Sequence, residues 1–460
     1  MHRTRAIPGP GDINSQGLGW LSIVRLGLIQ AALGAIVVLT TSTLNRVMVV
    51  ELGLAAMIPG MLVGIHYAVQ ISRPVWGHWS DTGGSRTLWI LGGLALLAAA
   101  GTGAASTTLV FEQNFTLGLS LAILAYILIG IGIGACGTSL LTLIAIKTAP
   151  ERRAAAATIT WMMMIAGIVV SSVVTGLNLD PYSHGRLVAV TAITGVVVWT
   201  IAAMAIRGIE NRPSFEVRAD RNKATSFRES LDEVWSDGEA RLFTLFILVS
   251  MLAYATQDLI LEPFAGLLFD MTPGETTRLS GTQHAGILLG MAMVGLCSTL
   301  FGRRYPGLPK LIIALGCLGS AMALAALSIS AFFAPVWPLQ INVFLLGAMN
   351  GAFAVAAIGT MMLLASNGAS ANEGMRMGVW GAAQAISFGL GGVLGTVLLD
   401  LGRLLLGDNR EAFALVFGFE ALLFLLSSLI ALRITAHKKR LKTDNLQISL
   451  NGQTAPAPAE

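Results

Sequence analysis

The sequence predicts an all-α polytopic membrane protein with twelve transmembrane helices in two six-helix bundles. Three observations predict it. Of the 460 residues, 54% are hydrophobic and only 12% are charged, whereas soluble domains carry about 25% charged residues. Apolar runs of about 20 residues recur, the length that crosses a hydrocarbon core of roughly 30 Å. A polar segment at 208–240 then divides those runs six and six.

The elements follow in order. Residues 1–20 are polar and rich in Gly and Pro, without the apolar core of a cleavable signal peptide, and read as a lead-in. The first six spans are expected at about 21–44, 54–72, 87–106, 117–146, 154–177 and 186–207, an N-terminal bundle over 21–207. After the loop at 208–240, six more fall at about 241–269, 282–302, 309–331, 338–365, 376–400 and 411–433, a C-terminal bundle over 241–433. The fourth and seventh are long enough to require tilt or turns beyond the bilayer. A basic tail occupies 434–460.

Orientation follows from lysine and arginine, which favour the cytoplasmic side. All 29 fall on one side of this layout except Arg46, Arg186, Arg278, Arg403 and Arg410. Both termini and the central loop are therefore expected in the cytoplasm. The net charge of +4 is this membrane-facing bias and points to no nucleic-acid partner. Cys136, Cys297 and Cys317 all lie in apolar runs without CxxC spacing, so neither a zinc site nor a disulfide framework is indicated.

The glycine-rich runs "GIGIGACG" and "GLGGVLG" predict close helix packing. The 2–3 loop reads "WGHWSDTGGSRT" and is similar to the loop signature of the major facilitator superfamily. There Gly77 admits a neighbouring helix, Gly83 and Gly84 permit a reversal, and Asp81 and Arg86 form a cytoplasmic latch. The alternative is an ordinary loop with a surface ion pair. The matching loop of the second half, "GRRYPGLPK", lacks the aspartate. In "KTAPERRAAAAT", Pro150 ends a helix and Arg152 and Arg153 mark the cytoplasmic entry, as gate or as topology signal.

Polar residues inside spans are costly and need a partner or a cavity. His66 and Tyr67 lie in span two. Tyr254, Asp258 and Glu262 share one face of span seven, with Gln257 beside them; Asn350 lies in span ten and Gln384 in span eleven. Each serves either helix–helix hydrogen bonding or, as a group, a ligand cavity. His66 is the imidazole placed well inside a span, where a neutral ring can ligate a chlorin magnesium; no other metal site is indicated. Between spans one and two, "LTTSTLNRVMVVEL" carries Asn45, Arg46 and Glu51. Its hydroxyls can bond back to carbonyls and bend the helix. Because five residues is a poor spacing on a regular α-helix, a kinked, charge-clamped helix end is expected.

At these residues a family resemblance enters. "RLGLIQAALGAIVVLTTSTLNRVMVVEL", "SRPVWGHWSDTGGSRT" and "ERRAAAATITWMMMIAG" resemble the PucC/LhaA family, a branch of the major facilitator fold in photosynthetic bacteria. Within it the chain is most similar to the branch labelled bacteriochlorophyll synthase 44.5 kDa chain. The resemblance implies a place in light-harvesting complex assembly or bacteriochlorophyll handling, in a bacterial cytoplasmic or intracytoplasmic membrane. It implies bacteriochlorophyll or a precursor as bound ligand. Implied partners, besides membrane lipid, are light-harvesting polypeptides or an enzyme such as bacteriochlorophyll synthase. Prenylation of a chlorin needs Asp-rich motifs that hold magnesium on a diphosphate, and the chain has no NDxxD or DxxxD run. The expected role is therefore a non-catalytic pigment-handling or assembly factor. The alternatives are a proton-coupled transporter of a small solute working through Asp258 or Glu262, and, with least support, an accessory subunit of the synthase.

Overall fold

The computed structural model describes residues 17–73, 76, 85–149, 152–210, 235–302, 304–305, 307–366 and 373–434. Among these residues there are twelve long helices and no strand. They are α1 (Trp20–Glu51), α2 (Met57–Ser72), α3 (Arg86–Phe111), α4 (Phe115–Lys147), α5 (Arg153–Leu179) and α6 (His184–Ile206), then α7 (Gly238–Leu268), α8 (Pro273–Phe301), α9 (Leu308–Ser330), α10 (Leu339–Ser366), α11 (Glu373–Leu406) and α12 (Asn409–Arg433). Eleven contain stretches long and apolar enough to cross a membrane. The exception is α2, whose 16 residues reach only about 24 Å, because 53–55 are not helical and the helix starts at Met57 rather than at 54.

Local chemistry sets the helix starts. Asn114, Ser183, Asp237 and Asp408 each accept a hydrogen bond from a first-turn amide, and Thr272 with Glu275 makes a full capping box ahead of Pro273. After α1 and α11 the chain reverses through Gly53 and Gly407, at φ 62° and 74°, a left-handed conformation that favours glycine.

The helices form two six-helix bundles, each with its own apolar core. One core is built from residues such as Leu26, Leu97, Tyr126 and Leu140, the other from residues such as Phe243, Phe264, Phe353 and Phe417. A third, smaller cluster joins them: Val38 and Leu39 of α1, Ile165 and Ile168 of α5, Ile287 and Met291 of α8. Across the seam α5 packs on α8, and α2 on α11. Large apolar side chains such as Leu124, Val196, Leu315 and Met322 are exposed on the outside, the composition a lipid-facing surface requires. The face carrying the start of α1 and the end of α12 is the terminal face below; the opposite one, with the end of α1 and the start of α2, is the far face.

The expected kink near Asn45 is replaced by a different device. α1 runs unbroken from Trp20 to Glu51 but widens into π-helix over Leu39–Thr43 and again over Val47–Glu51. Thr40 and Thr41 do bond back, both to the Val37 carbonyl at 2.9 Å. In a π turn the backbone bond runs from i to i+5, as Leu52 N–H to the Val47 carbonyl does at 3.1 Å. Residues five apart are thereby stacked, so Arg46 and Glu51 pair directly.

The glycine runs pack closely, with one exception. A Cβ on Gly130 would meet the His66 carbonyl of α2 at 2.7 Å; on Gly132, the Leu97 amide of α3 at 2.8 Å; on Gly391, the Leu252 carbonyl of α7 at 2.8 Å. Gly137 has nothing within 4 Å. The "WMMMIAG" methionines pack against α1: Met163 lies on Gly27, and Met164 receives a bond from Gln30 at 3.4 Å.

Candidate functional site

The two bundles meet around α1, α2, α7 and α11, where they enclose a small cavity. Its lining is Thr41 (α1), Val63 and Tyr67 (α2), Ala255, Asp258 and Leu259 (α7), and Phe388 and Gly392 (α11). The Phe388 ring lies 5.8 Å from Tyr67 and 5.8 Å from Tyr254, so one carboxylate sits among three aromatic rings. The cavity holds about 20 Å³, room for about one water molecule. A chlorin macrocycle cannot be enclosed there until the helices part.

Two of the seven ligand candidates line this cavity, Tyr67 and Asp258. His66 is behind Tyr67, ring centroids 4.1 Å apart, 1% exposed, with Nδ1 2.6 Å from the Val63 carbonyl. Reaching a chlorin in the cavity requires that ring to turn out. Gln257 is fully buried off the cavity, and neither amide end has a protein partner. Asn350 serves helix–helix bonding: its Oδ1 accepts from Ser320 of α9 at 2.7 Å, within the C-terminal bundle. Gln384 is half-buried on α11, one turn from Phe388. Glu262 is buried beside Arg46, Thr276 and Ser280, yet neither carboxylate oxygen has a well-formed hydrogen bond, the Thr276 hydroxyl being committed to the Pro273 carbonyl.

Next to the cavity, the polar block of α1 stitches the bundles together. Asn45 donates to the Leu259 carbonyl of α7 at 2.7 Å, and Thr43 and Thr277 share a hydrogen bond at 3.2 Å. Arg46, 2% exposed, pairs with Glu51 through Nη1 and donates through Nη2 to the Met271 carbonyl at 2.8 Å, in the α7–α8 connection. Gly266 leaves space for the guanidinium, since a Cβ there would meet Arg46 Nε at 3.1 Å. Arg46 thus pairs with Glu51 and reaches the Met271 carbonyl, and the carboxylate of Glu262 lies near enough to feel its charge without bonding to it.

Of the terminal-face latch, Gly77 and Asp81 lie outside the described residues. Arg152 stacks on the Trp20 ring at 5.4 Å and Arg153 donates to the Thr148 carbonyl at 3.2 Å. At Arg86 the backbone carries a contact that sequence reasoning missed. The Glu210 carboxylate, just beyond α6, accepts from the Arg86 amide at 2.6 Å, the Thr87 amide at 3.2 Å and the Ser85 hydroxyl at 2.7 Å, capping α3. Burial alone pushes this carboxyl up, but the hydrogen bonds outweigh it and hold the group below its ordinary 4.5. A depressed folded value means the stabilisation is complete above the unfolded value and is lost as pH falls through the folded one. Glu210→Gln is accordingly expected to cost about 1 kcal/mol at neutral pH, and the gap to wild type to close on acidification below 4.5. Thermal unfolding of both proteins from pH 7 to pH 3 checks this; a gap independent of pH contradicts it.

The missed residues include Glu420 as well, fully buried in α12 with neither oxygen bonded. Phe388 and Val63 carried no polar signal to mark them as cavity lining. Asp180, directly after the fifth helix of the first half, and Asp400, inside the fifth helix of the second half, read from sequence as isolated acids, although the twofold layout makes their matching places visible.

Solved structures similar to this arrangement include two transporters. The chain superposes on a D-xylose–proton symporter with a TM-score of 0.70 at 14% identity, covering 91% of this chain and 98% of that one. It superposes on a peptide transporter crystallised with sulfate at 0.67 and 14%, covering 93% and 98%. At such identities the likeness shows the fold, that of the major facilitators. Sequence relatives are nearer. The chain is 50% identical over 419 residues, 91% of its length and 96% of the relative's, to the "Bacteriochlorophyll synthase 44.5 kDa chain" of Rhodobacter capsulatus. It is 28% identical to "Protein PucC" of Cereibacter sphaeroides, covering 92% and 93%. The family described as PUCC protein matches residues 43–439, from Thr43 in the first π-helical turn to beyond the end of α12, and the chain belongs to that family.

Proposed function

We propose that this chain is a non-catalytic membrane factor that handles or delivers bacteriochlorophyll, or a precursor of it, during assembly of photosynthetic complexes. The observation that carries this reading is the 50% identity, over nearly the full length of both chains, to a relative whose name ties it to bacteriochlorophyll. The chemistry of the seam agrees. Its walls are aromatic, aliphatic and glycine-rich, and the cavity presents a single carboxylate, Asp258, a poor match to a polar solute and a good one to a large lipophilic molecule. The relative's name also contains the word synthase. This chain has no Asp-rich run to hold magnesium diphosphate, so chlorin prenylation falls to another protein. Partners on this reading are light-harvesting polypeptides or a pigment-biosynthesis enzyme. The positive-inside bias supports a terminal face on the cytoplasmic side, and the reading places the chain in a bacterial inner or intracytoplasmic membrane.

The test is deletion of the gene in a bacterium that makes bacteriochlorophyll. The expected result is loss of pigment–protein absorption bands while membranes retain full chlorin-prenylating activity. Loss of that activity, restored by adding the purified chain, would overturn the reading.

A second reading, a proton-coupled transporter, is favoured by one observation: Asp258 lines the cavity between the bundles, where a coupling carboxyl would work. It requires Asp258→Asn to abolish proton-driven solute uptake in vesicles. An Asp258→Asn protein that still sustains pigment–protein assembly agrees with the first reading alone.

A further inference from the structure

We infer that Asp180 and Asp400 are two matching clasps that hold the bundles shut at the far face, and that the face opens only when both let go. Asp180 follows α5, the fifth helix of its half. Its carboxylate crosses the seam to the start of α8, the second helix of the other half, accepting from the Thr272 hydroxyl at 2.9 Å and the Gly274 amide at 3.2 Å. Asp400 belongs to α11, again the fifth helix of its half. It crosses to the start of α2, again a second helix, accepting from the Ala56 amide at 3.1 Å and the Met57 amide at 2.7 Å. Arg403 holds that carboxylate from behind at 3.3 Å.

The physics of both clasps is the same. The first amides of a helix have no partner within it, and the helix dipole is positive there, so a carboxylate is held by charge and by hydrogen bonds together. In an ordinary cap the carboxylate travels with its own helix. Here acceptor and donors belong to different bundles, so separation of the bundles breaks every bond. The small residues at the contacts permit the approach. A Cβ on Gly274 would sit 2.6 Å from Asp180 Cγ, and one on Gly60, the next turn of α2, would strike Thr396 of α11. The two clasps lie on different seams of the same face. A rocking of one bundle against the other that opens this face pulls on both at once, and either one resists it. The Thr43–Thr277 and Asn45–Leu259 bonds close the same interface deeper in. The inference does not depend on what the cavity carries.

The experiment measures a distance across the far face in the full chain reconstituted in lipid nanodiscs. Spin labels go on cysteines at Gln113, in the α3–α4 turn, and Gln340, at the start of α10, both exposed and in different bundles. Cys297 is replaced by alanine, while Cys136 and Cys317 are buried and stay unlabelled. The labelled parent should give one short distance. Asp180→Ala or Asp400→Ala alone should leave it in place. The double variant should gain a longer component, since losing two charge-assisted clasps raises the open fraction on the order of a hundredfold. An unchanged distance in the double variant overturns the inference, and a single variant that opens as fully as the double overturns the requirement for both. Should the alanine pair fail to fold, Asp180→Asn with Asp400→Asn keeps the shape, removes the charge, and is read by the same outcomes.

Discussion

Replacing Arg46 with methionine should destabilise the folded protein more than any other single side-chain truncation at the seam, by about 3 kcal/mol or more. The methionine fills the volume and removes the charge. What it leaves behind sets the cost: Glu262, buried at 1% exposure with no hydrogen bond of its own, the Met271 carbonyl, and Glu51. Glu51 keeps a side-chain exposure of 31%, so water compensates part of its loss, and Glu51→Gln is expected to cost only about 1 kcal/mol. Arg46→Lys should recover little, because a single ammonium cannot serve Glu51 and Met271 through two separate nitrogens. Thermal unfolding of the detergent-solubilised variants ranks the three. An Arg46→Met protein as stable as wild type would mean that the clamp is ornamental.

Gly347→Leu should prevent α8 and α10 from docking. These helices cross through reciprocal small-residue motifs, Gly286 and Gly290 on one, Gly347 and Gly351 on the other. A Cβ at 347 would stand 2.9 Å from the Gln283 carbonyl carbon and 3.2 Å from the Ile287 amide, and one at 351 would stand 2.9 Å from the Ile287 Cα. Those are backbone atoms of a rigid rod and cannot swing aside. Overpacking costs about 1–3 kcal/mol where side chains can give, and here they cannot. Gly359 on the same α10 has nothing within 4 Å of its Cβ position and is exposed, so Gly359→Leu is the control. The expected readout is a monodisperse elution profile for the 359 variant and aggregation for the 347 variant; equal behaviour contradicts the crossing.

Much of this architecture was legible because lipid imposes it. Backbone polar groups in hydrocarbon must bond within their own segment, so a long apolar run is a helix and the number of runs gives the number of spans. The twelve elements and the close packing of "GLGGVLG" followed directly. The site was legible only in part. Polarity in a membrane helix says that a residue turns toward protein, not toward which protein. From sequence Asn350 and Asp258 were alike open between helix–helix bonding and a cavity; Asn350 accepts from Ser320 within one bundle, while Asp258 lines the seam cavity. The stacking of Arg46 on Glu51 was hidden for a different reason: a change from α to π pitch leaves no mark in an apolar pattern, and a period of 3.6 puts residues five apart on different faces. Asp180 and Asp400 were hidden by distance, since what makes each a clasp is the start of a helix more than ninety residues away in one case and more than three hundred in the other.

If these bundles part around a pigment, the absorption spectrum of the chain purified in mild detergent from cells that make bacteriochlorophyll carries its signature. The predicted result is a chlorin band that co-elutes with the protein and weakens in an Asp258→Leu, Phe388→Ala variant of the cavity wall. A colourless protein, or a band that washes away equally from the wild type and that variant, would contradict it.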